Sequence, residues 1–183
     1  LELQPPQDVY CELSAVLAFA ELARAEQRPE RLQRAETLFL SVWNLLQEPG
    51  RAHQPFNPGV RPARLHGHSM IVLNVLQELR KAGTNLPTER LIDSCLDSML
   101  RLHLRPGARL LLELVGWNGE DLPGWQGRHV NPGHMIEGGT FLIHEGEYRR
   151  DPALVAQGVD LIEWGFEQGW DREFGGLFND RDA

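Results

Sequence analysis

The run Asn131-Pro132-Gly133-His134-Met135-Ile136-Glu137 places an acid/base side chain at what reads as the start of a helix. Asn131 suits the cap, and a proline fits the first helical position because its missing N–H has no partner there anyway. His134 then lies near the helix N-terminus. There the helix dipole opposes protonation of the imidazole and favours its neutral, basic form. Glu137 follows three residues later on the same face and can hold one ring nitrogen or bind a substrate directly. A carboxylate contact raises the imidazole pKa and works against the dipole, so the sequence leaves the sign of the shift open. A neutral histidine poised near neutral pH suits general acid/base catalysis. The alternative is a histidine packed against its preceding loop.

Other residues bear on chemistry less specifically. His66-Gly67-His68 offers two nitrogen ligands, but a metal site normally needs a third, and only His134 stands in reserve. His68 reads either as lining a pocket at the mouth of its helix or as a hydrogen-bonded packing residue. Trp170 and Asp171 open the segment Gly169–Phe178, where Gly175-Gly176 permits a tight turn and the aromatics either pack or stack on a sugar face. Asp121, Glu137, Asp160 and Asp171 supply carboxylates, yet nothing singles out the pair that glycoside hydrolysis requires. Gly-x-Gly-x-x-Gly, the Walker pattern and the Gly-x-Ser-x-Gly elbow are all missing, which sets aside dinucleotide folds and α/β-hydrolases.

The elements that must position these residues are helical. Leu13, Val16, Leu17, Ala20 and Ala23 recur at helical spacing and predict a helix over Val9–Glu26. Pro29 opens a second, carrying Ala35, Leu38, Phe39, Val42 and Leu45 until Pro49-Gly50 stops it. Arg51 to Arg64 reads as loop. Ile71 to Leu79 is a third helix, ended by Gly83, and Pro87 opens a fourth with Ile92, Cys95 and Met99. Arg109–Val115 reads as a short buried or half-buried strand, and Asn118-Gly119 is a hairpin signal. Residues 108–133 are therefore expected to form a small β-hairpin and a glycine-rich loop, long enough in a helical chain to suggest function. Helices resume at Pro132 and at Asp151-Pro152. The sum is all-α: six helices in three hairpins, forming one domain over residues 1–183.

Composition narrows the partners. The chain has 183 residues, with 18 Lys plus Arg against 26 Asp plus Glu, a net charge of -8. Arg149-Arg150 is the one short basic pair in its neighbourhood, and Asp151 follows at once, so a nucleic-acid partner is not expected. No apolar run approaches the roughly 20 residues that span a bilayer, which argues against a membrane partner. Cys11 and Cys95 make no disulfide framework, and two free thiols suit a reducing cytoplasm. Leu1 is followed by no basic or signal-like region, and the chain is expected to be part of a larger whole.

Three landmarks together resemble the N-acylglucosamine 2-epimerase family, also called renin-binding proteins. They are Ser69-Met70-Ile71-Val72-Leu73-Asn74, then Leu122-Pro123-Gly124 with Gly127–Glu137, then Gly169-Trp170-Asp171 with Gly175-Gly176-Leu177-Phe178, in that order over most of the chain. The resemblance implies part of an (α/α)6 barrel, with long loops at one end enclosing the site. It implies a sugar 2-epimerase acting on N-acylglucosamine and N-acylmannosamine or a related aldose pair, or an aldose–ketose isomerase. It makes His134 one of two general acid/base histidines, with Glu137 positioning it or the sugar. Arg128 is implied to shape the loop, beside Asn131. The chemistry so implied needs no metal or redox cofactor, and a nucleotide such as ATP serves some members as an activator that is not consumed.

Two departures stand beside the match. Gly138-Gly139-Thr140 carries threonine where family members often have tryptophan, and Ser69 and Ile71 lie closer than His68 to the register of the histidine found in cellobiose-type enzymes. Six hairpins at the spacing seen here need roughly 350 to 400 residues, so this chain is about half a barrel. The resemblance puts the second histidine beyond Ala183. A half-barrel exposes an apolar edge and is expected to self-associate, as a homodimer for instance. The competing readings are a non-catalytic or regulatory carbohydrate-binding member of the same fold, and another (α/α)-barrel sugar enzyme such as a glycoside hydrolase.

Overall fold

The computed structural model describes residues 9–50 and 62–183. Six helices pair in sequence: α1 (Val9–Glu26) with α2 (Pro29–Gln47), α3 (His66–Lys81) with α4 (Thr88–Asp97), and α5 (Pro132–Arg149) with α6 (Pro152–Gly169). Contacts also run from α1 to α3 and from α3 to α5, so these three form an inner row and their partners an outer one. This is the expected stack of helical hairpins. The opening residues and most of the expected loop Arg51–Arg64 lie outside the described residues.

Burial follows the spacing that predicted the helices. α1 buries Val9, Leu13, Val16, Ala20 and Ala23 on one stripe. α3 is packed on several sides, by α1, α4 and α5, and buries Met70, Val72, Leu73, Val75, Leu76 and Leu79. Each such side chain contributes about 1.5–3 kcal/mol relative to an exposed one. α4 runs on into a π-helical turn, Ser98–His103, which carries Met99 and His103 inward.

The inner helix α5 meets α6 at glycines, where backbone approaches backbone and isoleucine and valine side chains fill the space beside them. A Cβ added to Gly139 would lie 2.6 Å from the Gly158 carbonyl oxygen, and one added to Gly158 would lie 2.6 Å from that of Gly139. Toward the helix ends, Gly146 faces the Val155 backbone, and Gly169 rests on the Pro132 ring. The small residues let the two backbones touch along most of their length.

The strands differ from expectation in one respect. β1 (Ala63–Leu65) pairs antiparallel with β4 (Leu114–Gly116), Leu65 opposite Leu114. β2 (Leu104–Arg105) pairs with β3 (Leu110–Leu111) as the one short hairpin of this region, turning through Pro106–Arg109 with Arg109 in the left-handed region at φ 56°. Asn118-Gly119 does turn the chain, with Gly119 N–H bonded to the Gly116 carbonyl at 2.9 Å. It joins no pair of strands, however. Glu120 folds back to accept from the Asn118 backbone and side chain at 3.0 and 2.9 Å, while Leu114 and Val115 satisfy their backbones on the distant β1. A sequence-local signal lost to a long-range partner of matching burial. β5 (His129–Val130) pairs with β6 (Arg181–Asp182), tying the C-terminal stretch to the loop that leads into α5.

Candidate functional site

Asn131 and Pro132 shape the start of α5 as the sequence predicts. The Asn131 side chain accepts from the His134 backbone N–H at 2.9 Å, and Pro132 occupies the first turn. His134 is thereby fixed on the wall of a cleft of about 310 Å3, lined by Tyr10, Leu65, Glu113, His129, Asn131, His134 and Asp180.

The carboxylate that meets the His134 ring comes from outside the motif. His134 Nδ1 lies 3.0 Å from Glu113 Oε2. Glu113 is only 3% exposed, and its other oxygen accepts from the Gly67 N–H at 3.3 Å. Its backbone is clamped too: its N–H donates to the His129 carbonyl and its own carbonyl accepts from His66 N–H, both at 2.8 Å. Burial alone would raise the Glu113 pKa. The bond to His134, the charge of His134 and the Gly67 N–H outweigh it and hold the carboxyl below its usual range. His134 moves the opposite way. Burial opposes its charge, but the bond to Glu113 and the negative charges of Glu113, Glu137 and Asp180 raise its pKa above the ordinary histidine value.

Three further imidazoles surround this pair, and burial keeps them neutral. His66 is pushed down to about 3, chiefly by burial and only partly offset by Glu113. His68 and His103 are pushed down to about 4, again by burial first. His103 is held through Nδ1, which donates to the Leu112 carbonyl at 2.8 Å, and its ring meets that of His66 edge-on at 5.7 Å. Among the described residues, no group of three or more His, Cys, Asp or Glu is placed to hold a metal ion.

The remaining predicted residues are dispersed. Glu137 is exposed on the next turn of α5, and Glu113 occupies the ring-holding position that the sequence offered to it. Arg128 grips Asp182 through two bonds of 2.6 and 2.8 Å and donates to the Gly124 carbonyl, so it braces the loop. His68 packs on Tyr10, ring centroids 5.6 Å apart, and lines a separate cavity of about 60 Å3 with Arg64, Ser69, Ser98 and Trp117. Asp171 caps its own turn by accepting from Glu173 and Phe174 N–H at 2.8 and 3.1 Å. Trp170 is half exposed and faces Phe166 and Arg172 rather than the His134 cleft.

The model of the N-acylglucosamine 2-epimerase (GlcNAc 2-epimerase) family matches residues 2–183. This chain belongs to that family. Human N-acylglucosamine 2-epimerase is 31% identical over 182 residues, 96% of this chain and 42% of that protein. The bovine protein of the same name is 36% identical over 140 residues, 75% of this chain and 33% of that one. The chain thus spans less than half the length of these curated relatives. In fold, it matches a sugar epimerase from a ruminal bacterium with a TM-score of 0.74 at 18% identity, covering 96% of this chain and 48% of that one. A D-mannose isomerase matches with a TM-score of 0.71 at 14% identity, covering 93% and 47%. The all-α toroid of these structures is the architecture expected from the sequence.

Membership of the N-acylglucosamine 2-epimerase family was legible in the three landmarks together, whereas Glu113, Asp180 and Tyr10 lie outside all of them. Glu113 did leave a trace. It is the lone charge in the otherwise apolar run Leu110–Val115, and a carboxylate in a buried strand needs a partner. Tyr10 and Asp180 reach the cleft from opposite ends of the sequence and leave no local trace at all.

Proposed function

We propose that this chain carries one acid/base group of a sugar 2-epimerase that interconverts N-acyl-D-glucosamine and N-acyl-D-mannosamine or a related aldose pair. The observation that supports the reading best is His134, set at a helix start on the wall of a cleft with one ring nitrogen held by a buried carboxylate. The open-chain sugar has an acidic proton on C2, because the neighbouring aldehyde takes up the charge as the proton leaves. His134 removes it to give an enediolate, and a second base on the opposite face returns a proton to C2. The names of the curated relatives favour amino sugars. The share of those relatives that this chain spans favours a second base supplied by the rest of the toroid. Glu137, exposed one turn along and near enough for its charge to act on His134, suits a contact to the sugar. Asn131, Arg128, Trp170 and Asp171 serve by shaping the loops, and His68 by packing beside the site. A nucleotide activator and a cytoplasmic setting complete the reading. Among the described residues no helix is long and apolar enough to cross a membrane.

The test is proton NMR in heavy water with N-acetylmannosamine, N-acetylglucosamine, mannose and cellobiose, each with and without ATP. The expected result is loss of the C2 proton signal, abolished in His134→Gln. Exchange at C2 that survives in His134→Gln refutes the assignment of His134. Appearance of a ketose in place of an epimer moves the reading to an aldose–ketose isomerase.

A further inference from the structure

We propose that Glu113 is the positioning residue for His134: it fixes the proton on Nδ1, leaves Nε2 as the basic nitrogen, and stabilises the imidazolium that forms when Nε2 takes up a proton. The inference deepens the proposed function and rests on His134 being the base. An ionised carboxylate only accepts hydrogen bonds, so a Glu113 oxygen at 3.0 Å from Nδ1 requires the proton to sit there. The arrangement cannot drift easily, because Glu113 is anchored at three further points: its backbone N–H on His129, its carbonyl on the His66 N–H, and Oε1 on the Gly67 N–H.

Gly67 supports the same reading. A Cβ there would collide with the Tyr10 hydroxyl, and would stand 3.0 Å from His134 Cε1 and 3.2 Å from Glu113 Oε1. A side chain at position 67 would wedge the pair apart, so the first turn of α3 is built to let carboxylate and imidazole meet.

Other charged and titratable groups also face the ring. Glu137 lies on α5 itself, Asp180 on the C-terminal stretch, His66 and His68 on α3, and His129 on β5. None replaces Glu113. Glu137 is exposed, where water and salt screen its charge. Asp180 is committed to His129 Nε2 at 2.6 Å. His66 and His68 are kept neutral by burial. Glu113 alone combines burial with direct contact, and an opposite charge so placed shifts a pKa by about 1–3 units.

The test is 15N NMR of the imidazole rings against pH, in the unmutated protein, Glu113→Gln and Glu137→Gln, with His134 assigned by its loss in His134→Gln. The expected result in the unmutated protein is a neutral form protonated at Nδ1 and a midpoint above 6.5. Glu113→Gln is expected to lower that midpoint by about 1–3 pH units, and Glu137→Gln by less. A Glu113→Gln midpoint equal to that of the unmutated protein overturns the proposal. If Glu113→Gln does not fold, the unmutated protein decides: a neutral form protonated at Nε2, or a midpoint at or below 6.5, overturns it. These readouts need no sugar. Failure of all four sugars to exchange, with the titration as expected, would sink the proposed function and leave Glu113 as the group that sets the tautomer.

Discussion

Acid should unfold this protein well before its carboxylates titrate. The perturbation is a fall in pH from 7.5 to 5, and the responsible groups are His66, His68 and His103, which are 1%, 7% and 0% exposed. Their folded pKa values of about 3, 4 and 4 lie below the ordinary 6.5, so below pH 6.5 the unfolded chain takes up protons that the folded one refuses. Stability is therefore full above pH 6.5 and is lost as pH falls toward 4. Each group costs about 1.4 kcal/mol at pH 5.5 and about 2 kcal/mol at pH 5. Together they remove about 6 kcal/mol by pH 5, which is comparable to the roughly 5–15 kcal/mol that holds a domain together. His134 acts in the opposite sense. Its pKa is raised, so its contribution is complete below pH 6.5 and disappears as pH rises through the folded value. One imidazole offsets only part of three. Urea denaturation followed by circular dichroism at pH 7.5, 6.5, 5.5 and 5.0 measures the loss. A free energy of unfolding that stays constant within about 1 kcal/mol over this range would refute the reasoning, because three buried neutral imidazoles cannot be silent there.

Two substitutions probe the scaffold. Glu145 is fully buried and binds Arg80 at 2.8 Å, Arg149 at 2.6 Å and Gln77 at 3.2 Å; Glu145→Ala leaves Arg80, 14% exposed, with Glu89 at 2.9 Å as its remaining carboxylate, and is expected to cost about 1–3 kcal/mol in urea denaturation. A loss under about 1 kcal/mol would mean that water replaces the carboxylate freely. Gly139→Ala sets a helix-propensity gain of up to about 1 kcal/mol against a Cβ 2.6 Å from the Gly158 carbonyl oxygen. A backbone oxygen cannot rotate away, so a net loss of about 1–3 kcal/mol is expected, and a rise in melting temperature would contradict the close contact.

Much of the fold could be read from the sequence because helix periodicity is local. Leu13, Val16, Ala20 and Ala23 identify a stripe without knowledge of what covers it. Asn131-Pro132 and Asp151-Pro152 carry cap and first turn in adjacent residues, and both act as expected, Asp151 accepting from Ala153 and Leu154 N–H. What was illegible depends on residues far apart in the chain. β4 pairs with β1 about fifty positions away, and that pairing displaced the hairpin expected at Asn118-Gly119. The partner of His134 was hidden for the same reason. Within the motif, Glu137 has the right spacing, but the ring turns toward α3, where Gly67 leaves room for Glu113. Spacing along a helix says which residues share a face, and not which neighbour comes to meet that face.

The glycine contact between α5 and α6 constrains how the site can move. At Gly139 and Gly158 the two backbones touch, with the Ile143 and Ile162 side chains packed close beside the contact, so the helices have little room to slide past one another. The foot of α6 stands at the head of α5, Gly169 against Pro132, two residues before His134. That contact ties the position of the Trp170–Phe178 segment to the helix start that carries His134. The exposed aromatic turn thus shares one junction with the imidazole, and the chain that leaves it reaches the cleft two residues later at Asp180.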